Sequence, residues 1–487
     1  MKLKELLDQI YPVQIPRRFQ EIDVKEMSCD SRTLGPQSLF VAVQGVKGNG
    51  EEFIPQAIEK GAVVVVQNGP SNRIFPQDDV CVLTVPDTKK FIIDLAQKFF
   101  NYPASRIKTI GITGTNGKTT TAYLIESIFK ACQKSCAVIG TVNYRIGDRI
   151  MPSKNTTPGL IEMQQYLAEM NKEKIEYCVM EVSSHALHQG RVEAIDFSTA
   201  VFTNLTQDHL DYHQDMESYF LAKSKLFVDL PRQSHAVINI DDIYAQRLIT
   251  LCDAEVSTYG INLPADFQAE HIQLTLDDSR FEIRYPRGHI SIRTQQLGMH
   301  NVYNILAAFA VGFSQGIDPV DIKKAVEEFW AVPGRLERVN AGQNFHVFVD
   351  YAHTDDALQN VLTSFRKVSK ARMILVFGCG GNRDKLKRPK MGRVASQYAD
   401  HVIVTSDNPR DEDPQMISRE ILAGFSGNHF ETILDRQEAI HKALSMAQKG
   451  EIVLIAGKGH EDYQIIKDKT IHFDDREVAR EYLRCLV

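Results

Sequence analysis

The sequence has few of the features that mark membrane, nucleic-acid-binding or disulfide-rich proteins. It contains no run of about 18 consecutive apolar residues, which excludes a transmembrane helix of ordinary length. The 56 lysines and arginines do not outnumber the 62 aspartates and glutamates, so no overall positive charge attracts nucleic acid or an anionic membrane. The eight cysteines form no Cys-x-x-Cys pair, which argues against zinc and disulfide frameworks and favours a reducing, cytoplasmic location.

The length and the composition are those of a globular protein with several domains. The chain has 487 residues, which corresponds to roughly three domains of about 150 residues, and 43% of its residues are hydrophobic. Residues 1–8 include acidic side chains and precede no cleavage site, so we expect a helix there rather than a signal peptide. The sequence does not specify an oligomeric state, and we expect a monomer.

Apolar segments of strand length alternate with helical patterns along most of the chain. This alternation predicts an α/β protein in which helices cover mostly parallel sheets. The segments fall into three blocks, and a Val-Pro-Gly-Arg connection separates the second from the third, so we place the domains at 1–105, 106–334 and 335–487. Polar alternation near 270–296 predicts antiparallel strands, and apolar spacing after His300 predicts a helix. The other predicted strands are 38–43, 62–66, 109–113, 137–140, 177–182, 199–203, 236–240, 346–350, 373–377, 402–405 and 452–456.

A glycine-rich turn after the strand 109–113 is the clearest functional pattern in the sequence. Gly114 and Gly117 let the main chain approach phosphate oxygens, and the N–H groups at the start of the following helix face the anion. Lys118 can reach the β- and γ-phosphates, and the Thr119 hydroxyl can bind Mg²⁺. We therefore predict that ATP is bound by Gly114, Thr115, Asn116, Gly117, Lys118, Thr119 and Thr120.

Two downstream segments supply side chains suited to metal or proton chemistry. Glu181 ends a predicted buried strand, where a carboxylate can hold Mg²⁺ beside the phosphates. A surface glutamate at a strand end is the alternative. The segment 206–213 contains two histidines and two aspartates, for which a solvated loop is the alternative. We predict that Thr119, Glu181 and His209 contribute to a Mg²⁺ site.

Two charged residues flank the connection between the second and the third block. The guanidinium of Arg335, in a hinge-like Pro-Gly-Arg turn, can swing onto the γ-phosphate when domains close. Asp350 ends the first strand of the third block, where it can contact nucleotide or metal. A helix N-cap is the alternative role of Asp350. We assign both residues to the ATP site.

Three loops of the third block each follow a predicted strand and carry charged side chains. In doubly wound sheets, ligands bind beyond the carboxyl ends of the strands. Arg410 is suited to bidentate capture of a carboxylate, Arg383 offers a second guanidinium, and Glu461 offers an acid for an ammonium group. Surface solvation is the alternative for each residue singly, but the three loops together predict a site for a zwitterion.

These segments occur in the order in which they occur in the Mur ligases, and the chain resembles that family over nearly its whole length. The matching segments are Gly114-Thr-Asn-Gly-Lys-Thr-Thr120, Glu181-Val-Ser-Ser-His-Ala, Thr203-Asn-Leu-Thr-Gln-Asp-His209, His300-Asn-Val-Tyr-Asn304, Pro333-Gly-Arg335, Asp350-Tyr-Ala-His353 and Asp407-Asn-Pro-Arg410. The resemblance implies a smaller N-terminal α/β domain (1–105) that binds a UDP-sugar. It further implies a central domain (106–334) with a P-loop ATPase-like, mostly parallel sheet that binds ATP. A C-terminal Rossmann-like domain (335–487) would then bind the amino acid.

The resemblance also implies a reaction. Asp407-Asn-Pro-Arg410 is similar to the loop of members that add meso-2,6-diaminopimelate, whereas lysine-adding relatives lack that arginine. The implied activity is ATP-dependent ligation of meso-2,6-diaminopimelate to UDP-N-acetylmuramoyl-L-alanyl-D-glutamate through an acyl phosphate, in peptidoglycan biosynthesis. The family often has proline after Tyr-Ala-His-Thr, whereas this chain has Asp355 there, which is expected to loosen that loop.

The family's residue roles carry over only onto positions that match. Lys223 matches a lysine that the family carbamylates with CO₂, which creates an anionic ligand for a second Mg²⁺; the sequence by itself favours a plain helix-surface lysine. Lys118, His209, Lys223 and Arg335 are the implied catalytic residues, and Asn301 resembles a nucleotide contact. The implied contacts of the UDP-muramoyl-dipeptide are Ser31, Asn155, Thr156, Thr157, Ser183, Gln189 and Arg191. The implied contacts of diaminopimelate are Arg383, Asp407, Asn408, Pro409, Arg410, Gly457 and Glu461.

Three alternative functions remain open at this point. A lysine-adding or a folylpolyglutamate-type amide ligase would share the same build, but the N-terminal block and the Asp-Asn-Pro-Arg loop argue against the latter. A P-loop kinase or a GTPase switch belongs to a different class. Guanine selectivity usually needs an Asn-Lys-x-Asp strand end, and the sequence contains none.

Overall fold

A computed structural model describes residues 1–10, 15–44, 48–69 and 79–486 of the chain. Within these residues no helix has both the length and the apolar character needed to cross a bilayer. The chain divides into two compact units. Unit 1 comprises Met1–Lys118, Gln133–Ile238 and Asp242–Val256, and unit 2 comprises Thr119–Cys132, Asn239–Asp241 and Ser257–Val487. The three-domain division stays a prediction.

Helices follow most of the strands, as the alternating pattern predicted. Short 3₁₀ helices span Arg17–Phe19, Gly50–Phe53 and Pro103–Arg106. The α-helices are α1 (Leu3–Leu7), α2 (Ile54–Glu59), α3 (Thr88–Phe99), α4 (Lys118–Ala131), α5 (Leu160–Lys172), α6 (Ser184–His188), α7 (Leu210–His213), α8 (Met216–Val228), α9 (Ala245–Leu251), α10 (Met299–Ser314), α11 (Pro319–Glu328), α12 (Asp355–Val368), α13 (Lys387–Tyr398), α14 (Pro414–Leu422), α15 (Arg436–Met446) and α16 (Asp475–Leu486).

Unit 1 holds two sheets. Its strands are β1 (Glu26–Ser28), β2 (Ser38–Val41), β3 (Ala62–Asn68), β4 (Cys81–Val85), β5 (Lys108–Thr113), β6 (Cys136–Ile139), β7 (Asn143–Ile146), β8 (Arg149–Pro152), β9 (Tyr177–Glu181), β10 (Thr199–Phe202) and β11 (His235–Asn239). The first sheet is parallel throughout, in the order β1-β2-β3-β4. In the second sheet the strands lie in the order β11-β10-β5-β9-β6-β7-β8, and they are parallel from β11 to β6. Strand β5, which precedes the phosphate turn, is therefore central and buried.

Unit 2 holds the antiparallel strands and a third parallel sheet. Its strands are β12 (Glu255–Gly260), β13 (Phe267–Leu274), β14 (Ser279–Tyr285), β15 (Gly288–Thr294), β16 (Glu337–Arg338), β17 (His346–Asp350), β18 (Met373–Phe377), β19 (His401–Val404), β20 (Phe430–Thr432), β21 (Ile452–Ala456), β22 (Tyr463–Ile466) and β23 (Lys469–His472). Strands β13, β14 and β15 are antiparallel, as predicted near 270–296. The third sheet has the order β16-β17-β21-β18-β19-β20 and is parallel apart from β16.

The third sheet is buried on both faces. Along β18, Met373, Leu375 and Phe377 belong to one hydrophobic cluster, whereas Ile374 and Val376 belong to another. This alternation has the period of two that a strand imposes, and it explains why the sequence there is continuously apolar. The α/β class, the mostly parallel sheets and every strand predicted from the sequence are confirmed, with ends that differ by at most about two residues.

Candidate active site

The phosphate turn needs glycine at two positions. Gly114 has φ +148° and Gly117 has φ +87°, both in the region that side chains with a Cβ rarely adopt. A Cβ on Gly114 would also lie 1.9 Å from Thr203 Oγ1. The backbone therefore approaches the end of β10 more closely than any other residue type would allow.

The loop after β10 holds the phosphate turn in place. The Thr115 N–H donates to the Asn204 carbonyl at 2.8 Å, and the Asn116 N–H donates to Asn204 Oδ1 at 2.9 Å. In return, the Thr203 hydroxyl donates to the Asn116 carbonyl at 2.6 Å. Four residues that the sequence predicted only as members of two separate motifs thus form one hydrogen-bonded unit.

Two lysines meet at one carbonyl of this turn. Lys118 Nζ donates to the carbonyls of Gly114 and Thr115 at 2.9 and 2.8 Å, and Lys223 Nζ donates to the Gly114 carbonyl at 2.8 Å. Burial, with a further contribution from the Lys118 charge, lowers the pKa of Lys223 well below its usual value, although Asp208 opposes the shift. Lys223 is 2% exposed, so the helix-surface alternative is wrong. A lysine of lowered pKa is more readily the neutral amine that reacts with CO₂.

Glu181 is likewise buried rather than on the surface, and its exposure is 1%. Its Oε1 accepts the Thr141 N–H at 2.8 Å, and its Oε2 accepts the Thr141 hydroxyl at 3.1 Å. A Cβ on Gly140 would lie 2.4 Å from Oε1, so the glycine provides the room for this carboxylate. The alternative of a surface glutamate at a strand end is wrong.

His209 belongs to a cluster of rings on α6, α7 and α8. It has φ +53°, and its Nε2 lies 3.5 Å from Asp208 Oδ2. The rings of His209 and His185 are 4.9 Å apart. His213 Nε2 lies 3.0 Å from Ser184 Oγ, and burial, with neighbouring histidines, lowers the pKa of His213 to about 4. His213 is therefore held largely in its neutral form near pH 7.

The donor set is compatible with Mg²⁺ but forms no closed metal cage. Among the residues that the structure describes, no three or more His, Cys, Asp and Glu side chains are grouped to hold a metal. Mg²⁺ does not need such a group, because it usually keeps waters and binds through one or two carboxylates and substrate phosphates. The ligand set Thr119, Glu181, His209 and carbamylated Lys223 stays a prediction.

Several residues predicted to contact the dipeptide form one network. Thr157 Oγ1 donates to the Glu181 carbonyl at 2.8 Å and accepts the Ser183 N–H at 3.0 Å. Arg191 Nη1 donates to the Thr157 carbonyl at 2.9 Å, and Arg191 Nε donates to Gln189 Oε1 at 3.0 Å. The structure therefore brings Thr157, Ser183, Gln189 and Arg191 together beside Glu181.

The neighbouring predicted contacts lie near a groove of about 770 Å³. Thr156 Oγ1 lies 3.1 Å from Thr141 Oγ1, which links it to the Glu181 contacts. The Asn155 carbonyl accepts a hydrogen bond from the Tyr144 hydroxyl. The groove is lined in part by Cys29, Asp30, Thr33, Lys154 and Leu160. Ser31 itself is buried, and its hydroxyl donates to Gln56 Oε1 at 2.6 Å rather than lining the groove.

In unit 2 the backbone of Arg410 is fixed by the β22–β23 hairpin. Its N–H donates to the Ile465 carbonyl at 3.1 Å, and its carbonyl accepts the Lys467 N–H at 2.8 Å. Arg410 has φ +52°, which turns its side chain away from the direction that an extended residue would give it. Its Nη1 donates to the Gly381 carbonyl at 2.8 Å, on the loop that also carries the exposed Arg383.

The loop after β21 meets the same region. Asn408 Nδ2 donates to Glu461 Oε2 at 2.8 Å, and Lys458 Nζ lies 3.3 Å from the same oxygen. Burial raises the pKa of Glu461, whereas Lys458 and Asn408 oppose the shift. A Cβ on Gly457 would lie 3.0 Å from Asp407 Oδ2, and Gly457 has φ +113°. The predicted zwitterion residues thus lie on loops that touch one another.

The carbonyl of Pro409 leaves room only for glycine at position 381. A Cβ on Gly381 would lie 1.8 Å from the Pro409 carbonyl oxygen. The Gly381 N–H donates to the Asn408 carbonyl at 2.9 Å. The Gly-Cys-Gly-Gly segment is therefore packed backbone to backbone on the loop that contains Asp407, Asn408, Pro409 and Arg410.

Asp350 does not cap the following helix. Its Oδ2 accepts the Leu336 N–H at 2.7 Å, its Oδ1 accepts the Ala352 N–H at 2.8 Å, and burial raises its pKa against the opposing charge of Arg335. The N-cap of α12 is Thr354, whose hydroxyl accepts the Ala357 N–H at 3.2 Å, so the N-cap alternative for Asp350 is wrong. The helix starts at Asp355 although the family's proline is missing there.

The turn that carries Arg335 is packed against the loop that carries Glu461. Arg335 Cζ lies 4.8 Å from the centre of the Tyr351 ring. Gly334 has φ +66°, and a Cβ there would lie 2.0 Å from the His460 nitrogen. A Cβ on Gly459 would lie 2.6 Å from Tyr351 Cβ. The two segments therefore approach at the distance of backbone contact.

Asn301, predicted to contact nucleotide, is buried at the start of α10. Its Nδ2 donates to the Leu297 carbonyl at 2.9 Å, and its Oδ1 accepts from Asn304 Nδ2 at 3.0 Å. The amide is thereby held in one orientation.

Comparison with known proteins identifies the family. Three models match consecutive parts of the chain: "Mur ligase family, catalytic domain" at 23–100, "Mur ligase middle domain" at 112–312 and "Mur ligase, glutamate ligase domain" at 334–459. The chain is 46% identical over 488 residues to the UDP-N-acetylmuramoyl-L-alanyl-D-glutamate–2,6-diaminopimelate ligase of Geobacillus thermodenitrificans, and the alignment covers 99% of both chains. The chain belongs to the Mur ligase family. A Syntrophomonas wolfei ligase of the same name is 42% identical to this Mur ligase over 489 residues, again with 99% of both chains covered.

Solved structures agree with this family membership. A structure of a UDP-N-acetylmuramoyl-L-alanyl-D-glutamate–2,6-diaminopimelate ligase is 32% identical, has a TM-score of 0.72, and the match covers 100% of this Mur ligase and 99% of that chain. A Mycobacterium tuberculosis folylpolyglutamate synthase is 18% identical, has a TM-score of 0.62, and the match covers 81% of this chain and 94% of the other. The second similarity extends to the fold alone.

The sequence did not predict several residues that support the Mur ligase site by hydrogen bonds to its predicted side chains or to the backbone next to its loops. Thr141 occupies both oxygens of Glu181, and Lys458 supports Glu461. Arg436 binds the carbonyls of Ser406 and Ala456, each of which precedes a predicted substrate-binding loop. Lys458 lies inside a predicted loop and could have been found from its charge, whereas nothing in the local sequence singles out Arg436.

Proposed function

We propose that this Mur ligase uses ATP to join meso-2,6-diaminopimelate to UDP-N-acetylmuramoyl-L-alanyl-D-glutamate in peptidoglycan biosynthesis. The observation that carries the proposal is the 46% identity, over 99% of both chains, with a relative that has these substrates in its name. A phosphate turn in unit 1 and a set of loops suited to a zwitterion in unit 2 support it. The small molecules ATP, the nucleotide-sugar dipeptide and the amino acid are its substrates.

The proposal assigns one substrate to each predicted domain. Residues 1–105 bind the uridine nucleotide, 106–334 bind ATP, and 335–487 bind diaminopimelate. The groove beside Asp30 and Lys154 supports the first assignment, since it is large enough for part of a nucleotide sugar. Ser31 is the proposed contact of the uridine nucleotide, although its hydroxyl donates to Gln56 and lies outside the groove. The dipeptide part of this substrate reaches the second predicted domain, where its proposed contacts are Asn155, Thr156, Thr157, Ser183, Gln189 and Arg191.

The reaction begins with phosphoryl transfer. An oxygen of a D-glutamate carboxylate attacks the γ-phosphorus of ATP, the bond to the β-phosphate oxygen breaks, and ADP leaves. Lys118 and the N–H groups of residues 114–120 stabilise the charge on the phosphates. Arg335, Asn301 and Asp350 complete the ATP contacts. In the resulting acyl phosphate the acyl carbon is no longer part of a carboxylate anion and carries phosphate as a leaving group, so an amine can attack it.

The second step forms the amide. The neutral amine of diaminopimelate attacks the acyl carbon, the tetrahedral intermediate expels phosphate, and the amine loses its proton. The position of this amine depends on how the rest of the amino acid is held. Arg410 and Arg383 bind carboxylate, and Glu461 binds the distant ammonium group, supported by Asp407, Asn408, Pro409 and Gly457.

Mg²⁺ and a carbamate on Lys223 belong to the proposal. When bound, Mg²⁺ neutralises phosphate charge and orients the γ-phosphoryl group. Thr119, Glu181 and His209 are its proposed ligands, and carbamylated Lys223 is the proposed ligand of a second Mg²⁺. The burial of Lys223 and its short distance to the Gly114 carbonyl support modification at this lysine, because a neutral amine is the species that adds to CO₂.

The proposed location is the cytoplasm, since the reaction consumes ATP, and the proposed state is a monomer.

Phosphate release should require all three substrates. The test is a ligation assay with UDP-N-acetylmuramoyl-L-alanyl-D-glutamate, ATP, Mg²⁺ and either meso-diaminopimelate or L-lysine, with product mass measured. Formation of the diaminopimelate tripeptide is expected. Product only with L-lysine would contradict the proposal and favour a lysine-adding ligase. Phosphate release without an amino acid would contradict it and favour a P-loop switch that hydrolyses nucleotide.

A further inference from the structure

A fully buried ion pair lies behind the amino-acid loops and takes no part in the chemistry described above. Arg436 begins α15 and Asp475 begins α16, and both side chains are 0% exposed. Arg436 Nε and Nη2 donate to Asp475 Oδ1 and Oδ2, each at 2.7 Å. Burial by itself would lower the pKa of Arg436, but the carboxylates of Asp475, Asp407 and Glu461 oppose it and the net direction is upward. The guanidinium is therefore charged.

The same guanidinium also binds two backbone carbonyls. Nη1 donates to the Ser406 carbonyl at 3.2 Å, and Nη2 donates to the Ala456 carbonyl at 3.1 Å. Ser406 lies just beyond β19 and precedes Asp407, and Ala456 ends β21 and precedes Gly457. One side chain thus links the starting points of two substrate loops.

These two strands are not hydrogen-bonded to each other. In the sheet, β18 lies between β19 and β21, so no ladder fixes the separation of their carboxyl ends directly. Beyond the strand ends the loops touch through Asn408 and Glu461 at 2.8 Å. Arg436 therefore supplies a cross-link at the base of the loops, and the Asn408–Glu461 hydrogen bond closes them further out.

Stability is a weak explanation for such a pair. Burying two charges costs a large desolvation free energy, and replacing a whole buried pair by uncharged residues is often neutral or stabilising. The geometry offers a more specific explanation for the arrangement of these groups in space. A planar guanidinium holds a carboxylate and two carbonyls at fixed angles, which the compact ammonium of a lysine could not do.

We infer that Arg436 is a positioning residue for the amino-acid substrate. By binding the carbonyls of Ser406 and Ala456, it sets the separation between the Asp407–Arg410 loop and the Gly457–Glu461 loop. That separation determines whether the carboxylate-binding and ammonium-binding groups can engage one diaminopimelate molecule together. The inference rests on the proposed function.

The chain provides a matched control at the opposite edge of the same sheet. Arg366 Nε donates to the Tyr398 carbonyl at 2.8 Å, Nη1 donates to the Ala371 carbonyl at 3.0 Å, and Nη2 donates to Asp400 Oδ2 at 2.6 Å. Ala371 and Asp400 precede β18 and β19, so this guanidinium links the amino ends of strands rather than their carboxyl ends. It has the same kinds of partners and no predicted substrate contact.

The experiment compares two double variants with the parent enzyme. Arg436→Met/Asp475→Asn removes both buried charges together, so neither is left uncompensated. Its KM for meso-diaminopimelate should rise by about tenfold or more, because misplacement of binding groups by about 1 Å can cost that much, while KM for ATP and for the UDP-dipeptide stays within about twofold. Arg366→Met/Asp400→Asn should lower the thermal unfolding midpoint and leave KM for diaminopimelate within about twofold of the parent value.

The outcomes separate the inference from the proposed function. A parent enzyme that does not ligate diaminopimelate overturns the proposed function itself. With an active parent, an unchanged KM for diaminopimelate in the Arg436 variant overturns the inference, as does an equal rise of all three KM values in both double variants. If circular dichroism shows that the double variant is unfolded, Arg436→Lys is measured by the same criteria, since its ammonium keeps the charge but not the forked geometry.

Discussion

Replacing Arg410 tests the chemical basis of amino-acid selection. Diaminopimelate differs from lysine by a carboxylate at its far end, and Arg410 is the residue that we assign to that carboxylate. Its backbone is tied to Ile465 and Lys467, and its guanidinium is anchored to the Gly381 carbonyl through Nη1 at 2.8 Å. A guanidinium anchored through one nitrogen can present its other N–H groups to a ligand without a large loss of side-chain entropy on binding.

The size of the effect follows from the type of contact. A charge-assisted, bidentate hydrogen-bond pair contributes about 1.5–3 kcal/mol. That free energy corresponds to a factor of about 10 to 150 in kcat/KM, at about 1.4 kcal/mol for each factor of ten. Arg410→Ala should therefore lower the diaminopimelate-to-lysine ratio of kcat/KM by about this factor. Arg410→Lys should also lower the ratio, because an ammonium cannot form the forked contact.

The assay measures kcat/KM for both amino acids with the parent and each variant. A matched control is Arg419→Ala, on the exposed face of α14 in the same unit, where Arg419 Nη1 has only a long contact to Met416 Sδ at 3.9 Å within the described residues. This control should leave the ratio unchanged. An unchanged ratio in Arg410→Ala, or an equal loss with both amino acids, would refute the assignment of Arg410 to the distal carboxylate.

Three further predictions follow from buried or crowded positions. Lys223 should make the rate depend on CO₂, so that depletion lowers kcat and bicarbonate restores it, whereas Lys223→Gln is slow and does not respond; a parent rate independent of bicarbonate contradicts carbamylation. Arg388 lowers the pKa of Glu412 from 4.5 to about 2, so the unfolded state binds more protons between these values and this part of the free energy of unfolding is lost as pH falls through them. In Glu412→Gln the free energy of unfolding should depend less on pH in that range, and an unchanged pH dependence would exclude this linkage. Gly381→Ala places a Cβ 1.8 Å from the Pro409 carbonyl oxygen, so KM for diaminopimelate should rise; ordinary kinetics in a folded variant would show that the loops can separate freely.

Much of the fold was predictable because its determinants are local. The parallel strands predicted in the third block are short apolar runs that lead into loops containing glycine, aspartate or serine, and burial on both faces removes the need for alternation. The phosphate turn was predictable for the same reason, since Gly114, Gly117 and Lys118 lie within five consecutive residues between a strand and a helix.

Burial of single charged residues was much harder to predict. Lys223 follows Ala222 in an ordinary helical pattern, and its environment comes from the Gly114 carbonyl, 109 residues away in sequence. Glu181 is satisfied by Thr141, 40 residues away. The sequence alone therefore favoured a surface position for Lys223 and left the position of Glu181 open, and only tertiary contacts distinguish the alternatives.

Arg436 marks the limit of sequence reasoning at this site. Its carboxylate partner, Asp475, is 39 residues away in sequence. Its carbonyl partners, Ser406 and Ala456, precede the loops whose charged side chains were predicted to bind substrate. Every residue has a backbone carbonyl, so the residue types in a sequence do not indicate which carbonyl a side chain will bind. The residues expected to touch substrates could be named in advance, whereas the residue that spaces their loops could not.

The contact between Gly334 and the backbone at Gly459 and His460 has a consequence for how this enzyme can change over evolution. The turn that carries the arginine assigned to ATP meets the loop assigned to the amino acid through backbone atoms at Gly334, where no side chain can absorb a shift. A lineage that adapts to a different amino acid cannot move this loop freely without also disturbing the nucleotide contact. New specificity is therefore expected to arise by exchange of side chains on a stationary backbone rather than by remodelling of the loop.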